Sequence, residues 1–190
     1  MPLRDAHNRT IRDLRISVTD RCNFRCFYCL PNGEPPMARK DTLLTFEEIA
    51  YVSEIFVSLG IEKIRLTGGE PLLRKDIAKL AAGISRSKPA LKDLAITTNG
   101  FIFPSLAADL RNAGIDRVTI SLDSLDPAKF AKITGVDALE KVYDAIAAAK
   151  RCGFHPIKIN AAVIRGHNDD ELVDFARFAR ESDIAMRFIE

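Results

Sequence analysis

The sequence predicts an α/β protein folded as one parallel sheet, a partial (β/α)6 barrel. Strand-like and helix-like segments alternate along all 190 residues, six of the first kind and five of the second. Consecutive strands separated by helices pair in parallel through right-handed crossovers. The chain is also short of the roughly 250 residues that a closed eight-stranded barrel takes. A doubly wound sheet has the same periodicity and stands as the competing architecture.

The elements follow in order. A first strand is expected over Leu14–Thr19, then a helix over Thr45–Leu59. Thr45 with Glu48 makes a capping box for that helix, and Gly60 stands where it should stop. Strand Lys63–Thr67, helix Lys75–Ser87, strand Asp93–Thr98, helix Ser105–Ala113 and strand Arg117–Leu122 come next. Asp126-Pro127 reads as a cap followed by a first-turn proline. Helix Ala138–Cys152, closed by Gly153, strand Pro156–Val163, helix Asp169–Glu181 and strand Ala185–Ile189 complete the series. Arg187-Phe188-Ile189-Glu190 stops inside a strand, and domains seldom end on a bare edge strand. Residues 1–190 are therefore expected to form a single core domain that is cut short.

The net charge of +2 comes without a basic tail or stripe, which argues against a nucleic-acid partner. The polar start MPLRDAHNRTIRDLR lacks a secretory apolar region. No apolar run approaches the roughly 20 residues needed to cross a bilayer. A soluble, cytoplasmic protein is expected, with no membrane partner.

Three of the four cysteines, Cys22, Cys26 and Cys29, are spaced C-x3-C-x2-C directly after the first strand. A disulfide scaffold spreads its cysteines, whereas this clustering favours metal or redox chemistry. Loops that follow strands gather on one face of a parallel fold, where active sites sit. Three thiolates can hold three irons of a [4Fe–4S] cluster and leave the fourth open to a small chelating ligand. The other reading is a zinc site with a fourth protein ligand. Cys152 and His155 precede the fifth strand and so lie on the opposite face, while His7 and His167 remain candidates.

Cys22-Asn23-Phe24-Arg25-Cys26-Phe27-Tyr28-Cys29 and Thr67-Gly68-Gly69-Glu70-Pro71 together resemble the radical S-adenosylmethionine (SAM) superfamily. Leu14-Arg15-Ile16-Ser17-Val18-Thr19-Asp20-Arg21, Ile64-Arg65-Leu66, Thr97-Thr98-Asn99-Gly100, Ser121-Leu122-Asp123-Ser124-Leu125-Asp126 and Arg187-Phe188-Ile189-Glu190 resemble the GTP 3′,8-cyclase family within it. The resemblance implies a partial barrel of radical SAM type with SAM and a [4Fe–4S] cluster on Cys22, Cys26 and Cys29 as cofactors. It implies SAM contacts at Tyr28, Gly69 and Ser121, and GTP contacts at Arg15, Arg65, Thr97 and Lys158. The implied reaction belongs to molybdenum cofactor (molybdopterin) biosynthesis. Reductive cleavage of SAM gives a 5′-deoxyadenosyl radical, which takes the ribose 3′ hydrogen of GTP before the sugar carbon joins C8 of guanine, giving (8S)-3′,8-cyclo-7,8-dihydroguanosine 5′-triphosphate. Also implied are an electron donor such as flavodoxin or ferredoxin, cyclic pyranopterin monophosphate synthase as the next enzyme, and a homodimer. The family carries a second three-cysteine [4Fe–4S] cluster near its C-terminus, for which this sequence holds no cysteines after Cys152.

The residues by themselves point the same way. Gly68-Gly69 allows close backbone approach to a ligand, or equally marks an ordinary turn. Arg15 shares a strand face with Ser17 and Thr19, Arg65 with Thr67, and Lys158 with Asn160. If these cations face inward they need a counter-charge, supplied either by an anionic ligand or by Glu70, Asp123 or Glu190. Two further readings stand beside the cyclase: another radical SAM enzyme, for instance a peptide-modifying one, and a non-catalytic zinc-binding domain.

Overall fold

The computed structural model describes residues 3–29 and 42–189. Six strands form one parallel sheet in sequence order: β1 (Asp13–Ser17), β2 (Lys63–Thr67), β3 (Asp93–Thr98), β4 (Arg117–Ser121), β5 (Lys158–Ala162) and β6 (Ala185–Ile189). Six helices connect them: α1 (Phe46–Ser58), α2 (Ile77–Ser85), α3 (Phe103–Asn112), α4 (Pro127–Thr134), α5 (Leu139–Arg151) and α6 (Leu172–Ser182). The strict order β1 to β6 excludes the doubly wound alternative, whose strand order reverses partway. The sheet is the partial barrel that the alternation predicts.

The four central strands, β2 to β5, bury one face, and their other face borders a central chamber. Ile64, Leu66, Leu94, Ile96, Val118, Ile120, Ile159 and Ala161 carry the buried apolar side, and the helices close over it as one core. The opposite face is polar on β1, β2 and β4, mixed on β3 and β5, and on β6 carries Arg187 between Ala185 and Ile189. Its residues align across the sheet: Arg15 stands beside Arg65, and Ala95 separates Arg65 from Arg117. Thr97, Thr119 and Lys158 form a second row, and Ser121, Asn160 and Arg187 a third. Barrel interiors are ordinarily filled with branched apolar side chains, so a chamber this polar is shaped for a polar occupant.

Local chemistry sets the element ends. The capping box of α1 forms as predicted, with Glu48 N–H donating to Thr45 Oγ1 (3.1 Å) and Thr45 N–H to Glu48 Oε2 (2.7 Å). For α4 the sequence gives only the start, Asp126-Pro127, and no range. Asp126 caps it by accepting from Lys129 N–H (2.8 Å), Pro127 opens it, and Gly135 closes it at φ 73°. Its eight residues span too few turns to show a period. The helix expected from Asp169 begins as a 3-10 turn, Asp169–Glu171, before α6. Among the described residues, no helix is long and apolar enough to cross a membrane.

Candidate functional site

The loop after β1 is stitched to the loop after β2 mainly by backbone, and Arg74 Nη1 adds a bond to the Val18 carbonyl (2.9 Å). Val18 N–H donates to the Thr67 carbonyl (2.9 Å), Gly69 N–H to Thr19 (2.7 Å) and Glu70 N–H to Arg21 (2.7 Å). A Cβ on Gly68 would lie 2.4 Å from the Thr19 carbonyl oxygen, and one on Gly69 2.3 Å from that of Arg21. Both glycines are therefore demanded by the neighbouring cysteine-bearing loop itself, beyond the ligand approach read from the sequence.

Glu70 then ties this pair of loops to the end of β3. Its Oε1 accepts from Leu72 N–H (3.0 Å) and Thr98 Oγ1–H (2.8 Å), and its Oε2 from Asn99 N–H (2.7 Å). Burial pushes the carboxyl of Glu70 up, against the pull of those three donors. Asn99 continues the chain. Its Nδ2 donates to Asn23 Oδ1 (2.8 Å) and approaches Cys22 Sγ (3.9 Å).

The cysteine loop is anchored on its other side by α4. Phe24 is buried edge-on against Phe101 and Phe130, with ring centroids 6.2 and 6.1 Å away. Arg25 N–H donates to the Thr134 carbonyl (2.8 Å) and Phe27 N–H to that of Ile133 (3.1 Å). Cys22, Cys26 and Cys29 line a cavity of about 190 Å³ at the C-terminal ends of the strands, and Tyr28, Gly69 and Ser121 share it.

Burial raises the thiol of Cys22 and pushes that of Cys26 up to about 12. Such thiols stay protonated near neutrality unless a metal displaces the proton. Among the described residues, no three His, Cys, Asp or Glu side chains converge as ligands of one metal ion would. A cubane asks for less convergence, because each thiolate takes a different iron. The soft three-thiolate set therefore fits an iron–sulfur cluster better than zinc. The other zinc candidates stand apart. Cys152 caps α5 and packs on the core, and exposed His155 precedes β5, both at the far end of the strands. His7 lies exposed in the N-terminal turn. His167 shares the cysteine end but packs tilted against Phe27, centroids 4.9 Å apart.

Two residues at this mouth acquire roles that the sequence reading does not give them. Asp123 accepts from Tyr28 O–H (2.7 Å) at one oxygen and Ala162 N–H (2.9 Å) at the other. Asn168 Nδ2 bonds the Asp123 and Ala162 carbonyls (2.6 and 2.7 Å). Burial raises the carboxyl of Asp123, and burial followed by the Asp123 charge raises the Tyr28 phenol. Asp123 lies within a motif already singled out; only the fold shows that it holds the aromatic residue of the cysteine loop.

A second cavity of about 250 Å³ opens towards the N-terminal ends of the strands, lined by Arg15, Arg65, Asp93, Arg117 and Arg187 among others. Arg65 Nη1 donates to Thr97 Oγ1 (3.0 Å) and Thr119 Oγ1 (2.9 Å). Thr97 lines the cysteine cavity, so its bond to Arg65 links the two spaces. Lys158 is placed beside this second cavity rather than in its lining. Burial, then the charges of Arg117 and Arg187, lowers its ammonium, and burial together with Arg117 lowers the Arg65 guanidinium.

The expected internal counter-charges are elsewhere. Glu70 and Asp123 are bound at the cysteine end, and Glu190 falls outside the described residues. The carboxylates lining this cavity are Asp13 and Asp93, and Asp93 is gripped by Arg117 through Nε (2.7 Å) and Nη2. Arg117 and Arg187 were missed as inward cations, although their period-two spacing to Ser121 and Ile189 carries the signal. A larger groove of about 570 Å³ lies outside the barrel between α1 and α2 and is lined by none of these residues.

A parallel partial barrel with three cysteines in the loop after its first strand defines a class, and the chain matches it: residues 16–179 fit the Radical SAM superfamily. The chain belongs to that superfamily, whose cofactors are an iron–sulfur cluster and SAM. At the level of individual proteins it is 48% identical over 194 residues to a GTP 3′,8-cyclase of Acidothermus cellulolyticus, covering 100% of this chain and 53% of the relative. It is 49% identical over 191 residues to a GTP 3′,8-cyclase of Geobacter sulfurreducens, covering 100% of this chain and 58% of the relative. The chain thus spans about half the length of the curated relatives it matches. Among solved structures, SuiB of Streptococcus suis bound to precursor peptide SuiA superposes with TM-score 0.77 at 20% identity, over 93% of this chain and 38% of that one. Native anSMEcpe with bound AdoMet superposes with TM-score 0.75 at 20% identity, over 93% and 51%. These two likenesses concern the fold.

Proposed function

We propose that this chain is the cluster- and SAM-binding core of a GTP 3′,8-cyclase acting in molybdenum cofactor biosynthesis. The observation that carries the proposal is the division of one sheet face into a cysteine-lined mouth and a cation-lined chamber, linked by the hydrogen bond from Arg65 to Thr97. Identity near 48% to GTP 3′,8-cyclases supports the choice of nucleotide. A neutral peptide, the substrate class of the competing reading, has no use for Arg15, Arg65, Arg117 and Arg187 lining one chamber with Lys158 beside it.

Cys22, Cys26 and Cys29 would hold a [4Fe–4S] cluster, which when bound and reduced supplies the electron that cleaves SAM. Tyr28, set by Asp123, and the backbone at Gly69 would border SAM, with Ser121 across the mouth. Arg15, Arg65 and Lys158 would neutralise the phosphates of GTP, and Thr97 would fix the nucleotide's position through its bond to Arg65. The arrangement directs the reacting sugar towards the mouth and its charge away from it. A flavodoxin- or ferredoxin-type donor, the downstream synthase and a homodimer belong to the same reading.

The test is anaerobic incubation of the cluster-loaded protein with dithionite, SAM and GTP. Formation of 5′-deoxyadenosine, with hydrogen taken from the GTP ribose, supports the proposal. Formation of 5′-deoxyadenosine without nucleotide binding would remove GTP from it.

A further inference from the structure

Arg25 lies between two of the cysteines, and its side chain is exposed. An exposed arginine ordinarily keeps its head in water. Here the guanidinium folds back onto its own loop, where Nη1 donates to the carbonyls of Cys22 (2.7 Å) and Phe24 (2.9 Å). Ordering a long side chain costs up to about 2 kcal/mol of rotamer entropy, which charge-assisted hydrogen bonds can offset.

The backbone of Arg25 is fixed independently. Its N–H is bound by the Thr134 carbonyl (2.8 Å) at the end of α4. Gly135 closes α4 at φ 73°, and a Cβ there would meet the Cβ and carbonyl oxygen of Arg25 at 3.1 and 3.2 Å. The α4 terminus is thus shaped to receive Arg25 closely, and Arg25 in turn holds the peptide of Cys22.

The charges around the loop give this bracing a consequence. The buried side chains of Glu70 and Asp123 line the same cavity as Cys22 and Cys26. An electron added to a thiolate-bound cluster meets the negative field of its thiolates. Net charge near a cluster is one of the factors that set its reduction potential, and a guanidinium fixed on the carbonyl of a ligand residue opposes the field. Phe24 N–H, pointed at Cys22 Sγ (3.4 Å), acts in the same direction. We propose that Arg25 is a positioning residue of the cluster site, bracing the Cys22–Cys26 segment through two carbonyls and supplying a fixed positive charge that eases reduction. The proposal rests on the cluster assignment and is independent of the substrate.

The experiment is an EPR redox titration of the anaerobically reconstituted protein, with iron counted in parallel. Arg25→Gln removes the charge while keeping a donor, and should retain wild-type iron with a midpoint shifted to more negative potential. Arg25→Lys keeps the charge without the planar fork, and should fall between Arg25→Gln and wild type. Gly135→Ala should shift the midpoint in the same direction as Arg25→Gln, because the new methyl group displaces Arg25. A wild-type midpoint in Arg25→Gln would overturn the proposal. So would loss of iron from both Arg25 variants, which would make the residue a support of the fold. Failure of the wild-type protein to take up an EPR-active cluster would instead contradict the cluster assignment itself.

Discussion

Glu70 and Asn99 are joined by a hydrogen bond of 2.7 Å from the Asn99 backbone N–H to the Glu70 carboxylate, so the loop after the second strand fixes the turn after the third. Because Asn99 in turn holds Asn23, this contact transmits the position of the sheet to the cysteine loop. Glu70→Ala would leave three buried donors without their acceptor, at about 1–3 kcal/mol each when nothing replaces it. A loss of roughly 3 kcal/mol or more in urea unfolding is expected, with Glu70→Gln losing less. An unchanged midpoint in Glu70→Ala would show that the contact is incidental.

Gly69→Ala tests the close approach of the two loops. The added methyl would press on the Arg21 backbone at 2.3 Å, and backbone cannot swing aside as a side chain can. Iron uptake should fall sharply while the circular dichroism of the sheet persists. Gly153→Ala is the control. Its φ of 71° makes it strained, but nothing lies within 4 Å, so it should cost about 1 kcal/mol and leave iron uptake unchanged.

Asp93 and Arg117 carry a pH dependence. Burial alone would raise the Asp93 carboxyl, but its hydrogen bonds to Arg117 and the charges of Arg117, Arg65 and Lys63 outweigh this and hold it below the ordinary 3.8. A depressed carboxyl contributes stability that is complete above the unfolded value and is lost as pH falls through the folded one. Asp93→Asn should therefore be less stable at neutral pH and lose less stability than wild type on acidification below about pH 4. Parallel acid-unfolding curves would contradict the pairing.

The chamber cations make a further prediction. Arg65→Ala and Lys158→Ala should each weaken GTP binding by about tenfold or more, the usual scale for a charge-assisted hydrogen bond, and SAM binding by less. Isothermal titration of both ligands decides it. Equal losses would mean that these side chains maintain the fold instead.

Strand positions were legible because alternation is written into the residues. Lys63–Thr67, Asp93–Thr98 and Ala185–Ile189 match their observed bounds, and the inward placement of Arg15, Arg65 and Lys158 follows from the same period. Register was not legible. Asp93 and Arg117 are separated by β3, α3 and the turn after it, and only the pairing of Ala95 with Arg117 brings them together. The three cysteines stand out in the sequence by their spacing, whereas the residues that hold their loop do not. Asn99, Asp123 and Thr134 act through bonds between distant segments, and such bonds leave no periodic trace.

The central claim is that Cys22, Cys26 and Cys29 alone hold a four-iron cluster with one iron open to SAM. The most direct measurement is iron and sulfide content after anaerobic reconstitution, with the EPR spectrum of the reduced protein recorded before and after SAM is added. The account predicts roughly four irons per chain, a spectrum that changes with SAM, loss of that change on replacing any of the three cysteines by alanine, and full iron in Cys152→Ala. A colourless protein holding one zinc, or iron lost from Cys152→Ala, would contradict it.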